Sequence, residues 1–171
     1  MKKIPDYRFQ RLYPDKFLEE LTKQSYSYVR SDAKYPKFFF LCGKKQDSKE
    51  MTNRLWVKEF YKKHDNSIIC IFAENLWEKE SKIQELDLLT YESFLAEASD
   101  AILLFVESYG TACELGAFTI KDNLAKKIVV FNDSSYKNEN SFLTEGPIKK
   151  IKNSNPENVI YSDLNAIFSK F

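Results

Sequence analysis

The sequence predicts an α/β fold: an open, doubly wound, mostly parallel sheet of about five strands flanked by helices, with an extra N-terminal helix. Three observations carry this expectation. Four short apolar runs recur along the chain, KFFFLC (37–42), SIICIFA (67–73), AILLFV (101–106) and KIVVFN (127–132), and NVIYS (158–162) is a weaker fifth. The runs are continuous rather than alternating, as in strands covered on both faces. Amphipathic helical patterns separate them, the arrangement of successive βαβ units.

The elements follow in order. YPDKFLEELTKQSYSYV sets Phe17, Leu18, Leu21, Tyr26 and Val29 at helical spacing behind Pro14-Asp15. Residues 1–36 therefore read as a helical extension and residues 37–171 as the α/β domain. Helical patterns then cover residues 50–63, 85–98, 111–124 and 142–152, and a closing helix starts near Asp163. Trp56, in the first of these patterns, reads as a core residue.

Composition narrows the function. The 171 residues suit one domain with a sizeable core. A net charge of +1 gives no global argument for nucleic acid or membrane binding. Cys42, Cys70 and Cys113 form no CxxC pair, which argues against a disulfide framework or a zinc site, and their apolar neighbourhoods read as buried free thiols. The one histidine, His64, sits in polar KKHDN and reads as a helix-end surface residue, so Ser–His–Asp or Cys–His catalysis is disfavoured. The first residues lack an apolar targeting core and no run reaches membrane-spanning length, so a cytoplasmic, reducing setting is expected. No metal and no resident cofactor are expected.

In doubly wound sheets ligands bind at the carboxyl ends of the strands. Those ends read Leu41-Cys42-Gly43, Ala73-Glu74-Asn75, Glu107-Ser108-Tyr109-Gly110-Thr111 and Asn132-Asp133-Ser134-Ser135. The third is the most informative, because ESYGTACELGAF (107–118) carries two carboxylates and two of the chain's four glycines. Gly110 permits a tight turn or close backbone approach. Thr111 caps the helix or binds a ligand oxygen. Glu114 is expected one turn into the helix, where the dipole favours the ionised form. Such a carboxylate can attack a sugar's anomeric carbon, although on spacing alone a simple cap is the commoner outcome. Gly116 is expected to let the helix pack closely on the sheet. At the other strand ends, Glu74 is a ribose-hydroxyl acceptor or a cap, and Arg54 reaches a phosphate or is a surface residue. Trp77 is placed to stack on a base, Tyr109 to cover the pocket, Cys113 to pack, and Asp100 to serve structure.

These motifs resemble the nucleoside 2-deoxyribosyltransferase-like superfamily, and especially the small deoxyribosyltransferase-like effectors associated with bacterial retrons. The resemblance runs through FFLCG (39–43), Arg54, IFAENLW (71–77), DLLTYESFLAEASDAILLFVES (87–108), YGTACELGAF (109–118) and SFLTEGPI (141–148). It implies a Rossmann-like sheet and cleavage of an N-glycosidic bond in a nucleoside, nucleotide or NAD, by hydrolysis or by transfer of the (deoxy)ribosyl group. Glu114 matches the nucleophile, and Glu107 joins it as a catalytic candidate. Cys42, Gly43, Arg54, Glu74, Trp77, Ser108, Tyr109, Gly110 and Thr111 are the candidate substrate contacts. Ser108 stands where typical transferases carry an acid, six positions before the nucleophile. Retron effectors of this kind are held silent by a reverse transcriptase–small DNA complex and act as anti-phage toxins, so that complex is an implied partner, as is a second copy of the chain. A nucleotide-sensing or interaction module without turnover is the alternative. A phosphoribohydrolase of the cytokinin-activating type ranks lower, because its tandem glycines are replaced here by Glu107-Ser108-Tyr109.

Overall fold

The computed structural model describes residues 36–45, 51–77 and 86–164. The expected N-terminal helix and nearly all of the closing helix lie outside these residues. Within them the chain builds one five-stranded sheet, all parallel, in the order β2-β1-β3-β4-β5. The strands are β1 (Lys37–Cys42), β2 (Ile68–Ile71), β3 (Ala101–Phe105), β4 (Ile128–Asp133) and β5 (Val159–Ser162). All five expected strands are present. β2 ends two residues early, because Ala73 already begins a helix.

The longer helices are α1 (Asn53–His64), α3 (Leu88–Ala98) and α4 (Tyr109–Ile120); the shorter ones are α2 (Ala73–Trp77), α5 (Asp122–Ala125) and α6 (Lys149–Ser154). Local chemistry sets their starts. Thr52 accepts from the Leu55 amide to open α1, and Asp87 accepts from the Thr90 amide at 2.8 Å to open α3. The helix expected over 111–124 is two helices, because Lys121 takes an extended conformation between them. The pattern at 142–152 contains a π-helical turn, Thr144–Ile148, ahead of α6. Pro147 lies inside that wider turn, and its missing N–H fits a departure from the regular α ladder.

Both faces of the sheet are covered. Phe40, Ile102, Leu104, Ile128 and Val130 pack against Tyr91 and Leu95 of α3 and Leu115 and Phe118 of α4. Leu41, Leu103 and Phe105 pack on the opposite face with Val57 of α1 and Leu164. Neighbouring residues of β3 thus enter different cores, which is why AILLF is apolar throughout. Trp56 packs at the edge of the second core, ring-stacked on Phe60 at 5.3 Å. Asp100 is structural as expected: its carboxylate accepts from the Phe38 amide at 2.8 Å. Among the described residues no helix is long and apolar enough to cross a membrane.

Three details differ from expectation. Cys113 is exposed, not a packing thiol. Gly116 does not mediate close packing, since a Cβ there would meet nothing within 4 Å. Gly110 lies in the first turn of α4 without a positive φ, and a Cβ would make only ordinary contact with Ser108 Oγ at 3.6 Å.

Candidate active site

The strand order places a topological switch between β1 and β3, because β1 leads outward to β2 and β3 leads the other way to β4. A crevice opens at the carboxyl edge of such a switch. A cavity of about 260 Å³ occupies this place, walled by Cys42 and Gly43 after β1, Glu74 and Trp77 of α2, and Glu114 of α4. Arg54 and Lys45 supply its cationic groups, and Glu92 and Leu88 of α3 complete the wall.

Six of the expected site residues therefore converge: Cys42, Gly43, Arg54, Glu74, Trp77 and Glu114. Arg54 is buried at 7% exposure, so it is not a surface residue. Its guanidinium forks onto both carboxylate oxygens of Glu74, with Nη1 to Oε2 at 3.1 Å and Nη2 to Oε1. Its Nε donates to the Lys44 carbonyl at 3.0 Å, and the group lies 4.9 Å from the Phe72 ring centre. All three guanidinium nitrogens thus donate to the wall, as suits a fork-shaped cation. Trp77 is partly buried, its ring 5.1 Å from that of Tyr91, whose hydroxyl donates to the Ala73 carbonyl at 3.2 Å.

The other candidates stand outside the cavity wall. Ser108 is the N-cap of α4: its hydroxyl accepts from the Thr111 amide at 3.2 Å, and the Thr111 hydroxyl accepts from the Ser108 amide at 3.0 Å. The reciprocal pair is a capping box, with Ser108 rather than Thr111 as the cap. Tyr109 is 94% exposed and does not cover the cavity. Glu107 turns its carboxylate toward β1, accepting from the Lys44 amide at 2.8 Å and from Asn53 Nδ2. The polar end of β4 serves its own turn, Asp133 accepting from the Ser135 amide at 2.9 Å.

The helix starts two residues earlier than expected, so Glu114 lies beyond the first turn, where the dipole effect has faded. Burial dominates instead and pushes the Glu114 carboxyl above its ordinary range, opposed by a hydrogen bond with the Cys42 thiol and by the Arg54 charge. Glu114 Oε2 is buried without a hydrogen-bond partner among the described residues. Cys42 is itself held well above the ordinary thiol value, by burial and then by the Glu114 charge, so it stays a neutral donor.

Glu92 is the site residue that sequence reasoning missed. Burial, then the charges of Glu114 and Glu74, push its carboxyl up to about 8. One cavity therefore holds three carboxylates in different surroundings: Glu74 forked by Arg54, Glu114 raised by burial but hydrogen-bonded to the Cys42 thiol, and Glu92 raised to about 8 by burial and by the Glu114 charge. A signal was present, since Glu92 lies beside Tyr91 and one turn before Leu95 and Ala96, the buried residues of α3.

The chain matches the family model of the STM3845 retron effector protein over residues 50–170. It is 34% identical over 127 residues to a retron Ec73 protein of Escherichia coli, covering 72% of this chain and 40% of the relative. It is 31% identical over 167 residues to a retron Ec86 protein of Escherichia coli, covering 97% of this chain and 51% of the relative. The names of both relatives suggest ribosyltransferase and DNA-binding roles for them. The chain spans about half the length, or less, of these curated relatives.

Proposed function

This chain belongs to the STM3845 retron effector family, and on that premise we propose that it cleaves the N-glycosidic bond of a nucleoside, nucleotide or NAD. The observation that carries the reading is the pair Glu114 and Glu92 in one cavity at the switch point, with burial and the Glu114 charge raising the Glu92 carboxyl to about 8. The paired roles of attacking carboxylate and protonated acid are those that glycoside cleavage requires.

The carboxylate of Glu114 attacks the anomeric carbon, or stabilises positive charge there, as the carbon–nitrogen bond breaks. The electron pair of that bond leaves with the base, and the carboxylic acid of Glu92 gives its proton to the departing nitrogen. Glu92, now a carboxylate, then takes a proton from water, or from an acceptor base, as that nucleophile displaces Glu114 from the sugar. Water gives net hydrolysis and a base gives (deoxy)ribosyl transfer. Glu74, oriented by Arg54, faces the ribose hydroxyls, and Trp77 offers a ring face to the base. The family supports a role in retron-type anti-phage defence, with a reverse transcriptase–small DNA complex as the restraining partner.

A nucleotide-sensing module is the second reading. It is favoured by Ser108, which caps a helix where related transferases carry an acid. Incubating the purified chain with a panel of nucleosides, nucleotides, deoxynucleotides and NAD separates the two. Free base detected by chromatography supports the enzyme, whereas saturable calorimetric binding without released base supports the sensor.

A further inference from the structure

We propose that Glu107 and Asn53 form a positioning clamp that holds the Gly43–Lys45 loop and, through it, sets Arg54 in the cavity. Glu107 follows β3, and its amide donates to the Phe105 carbonyl and to the Thr111 hydroxyl, each at 3.0 Å, so its backbone is fixed at the start of α4. Its carboxylate then spans to two remote parts of the chain. Oε2 accepts from the Lys44 amide at 2.8 Å, and Oε1 accepts from Asn53 Nδ2.

The loop is shaped around that carboxylate. A Cβ at Gly43 would lie 3.0 Å from Glu107 Oε2, so a side chain there would press that carboxylate away by a few tenths of an ångström. The Lys44 carbonyl, across the residue whose amide Glu107 holds, accepts from Arg54 Nε. Arg54 in turn grips Glu74 in the cavity wall. A continuous set of hydrogen bonds therefore leads from Glu107 through Lys44 and Arg54 to Glu74.

Asn53 closes the other side. It is 1% exposed, and Nδ2 donates both to Glu107 and to the Leu164 carbonyl at 2.9 Å. Its Oδ1 is buried without a partner among the described residues, so the amide works here only as a donor. Asn53 and Arg54 are neighbours on α1, one anchoring the helix and the other entering the cavity. Glu107 is accordingly a positioning residue, not a group that touches the substrate.

The test is an exchange of polarity in the full chain. Asn53→Asp sets a carboxylate against Glu107. Combining it with Glu107→Gln restores the contact at position 107 alone, because Gln Nε2 donates to the new carboxylate while Gln Oε1 still accepts from Lys44; the Leu164 carbonyl loses its donor in both variants, so the comparison isolates the Glu107 side of the clamp. Amide hydrogen exchange at Lys44, read by NMR, needs no turnover, so it reports on the clamp independently of the glycosidase reading on which its effect on KM rests. Lys44 protection should fall at least tenfold in Asn53→Asp and recover in the double variant. KM for whichever panel compound is turned over should follow the same order, with kcat changing far less. Gly43→Ala is a second probe and should also lower Lys44 protection. Unprotected Lys44 in the wild type, or equal protection in every variant, would overturn the clamp. So would a double variant whose protection recovers while kcat stays lost, because that outcome makes Glu107 catalytic.

Discussion

Replacing Glu92 by glutamine should stabilise the protein while removing its activity. Folding moves the Glu92 carboxyl from its ordinary value of 4.5 to about 8, mainly through burial. The folded state then holds a proton that the unfolded chain releases between these values. The group's contribution is therefore most favourable below pH 4.5 and is lost as pH rises toward 8. At pH 7 the window from 4.5, at about 1.4 kcal/mol per unit, sets a ceiling of about 3.5 kcal/mol. Partial exposure of the side chain screens this, leaving about 1–3 kcal/mol. Glutamine is close in size, stays neutral and escapes the penalty. Urea unfolding of wild type and Glu92→Gln at pH 5, 6, 7 and 8 measures the difference directly. The variant's advantage should be small at pH 5 and grow with each unit. Base release should fall with it, the trade expected of a strained catalytic group. A stability difference that stays flat from pH 5 to 8 would refute the assignment of Glu92 as a buried, protonated acid.

Other substitutions test the supporting parts. Arg54→Ala leaves Glu74 in the cavity wall without its counter-ion and removes the contact with Phe72, so it should destabilise by about 2–4 kcal/mol in urea unfolding. Ser108→Ala removes one half of the capping box and should cost about 1 kcal/mol in the same measurement. Tyr109→Ala should change stability by less than about 0.5 kcal/mol, because the ring is in solvent.

The sheet was legible in the sequence because both its faces are buried. AILLF, and FFFLC after Lys37, are apolar at every position, and no amphipathic helix looks like that. The place of the site followed from the strand ends, and Glu114 followed from its motif. The helix start was misread because its cap is Ser108 paired with Thr111 rather than with a glutamate, which hid the first turn. That two-residue shift changed the physics of Glu114 from dipole-favoured to burial-opposed. Glu92 escaped notice because α3 carries two glutamates, and Glu97 serves an ordinary ion pair with Lys121 at 2.6 Å. Asn53 gave no sequence signal: its importance arises from contacts with Glu107 and Leu164, 54 and 111 positions away. Arg54 was legible only through resemblance, since its neighbours in α1 are charged and its burial depends on the cavity that it helps to build.

The central claim is that Glu114 is the carboxylate that acts on the sugar. The most direct measurement compares wild type and Glu114→Gln, with matched circular dichroism and unfolding curves, for release of free base from the nucleoside, nucleotide and NAD panel. The account predicts base release by the wild type from at least one member and none from the folded variant. Equal turnover by the two proteins would contradict it.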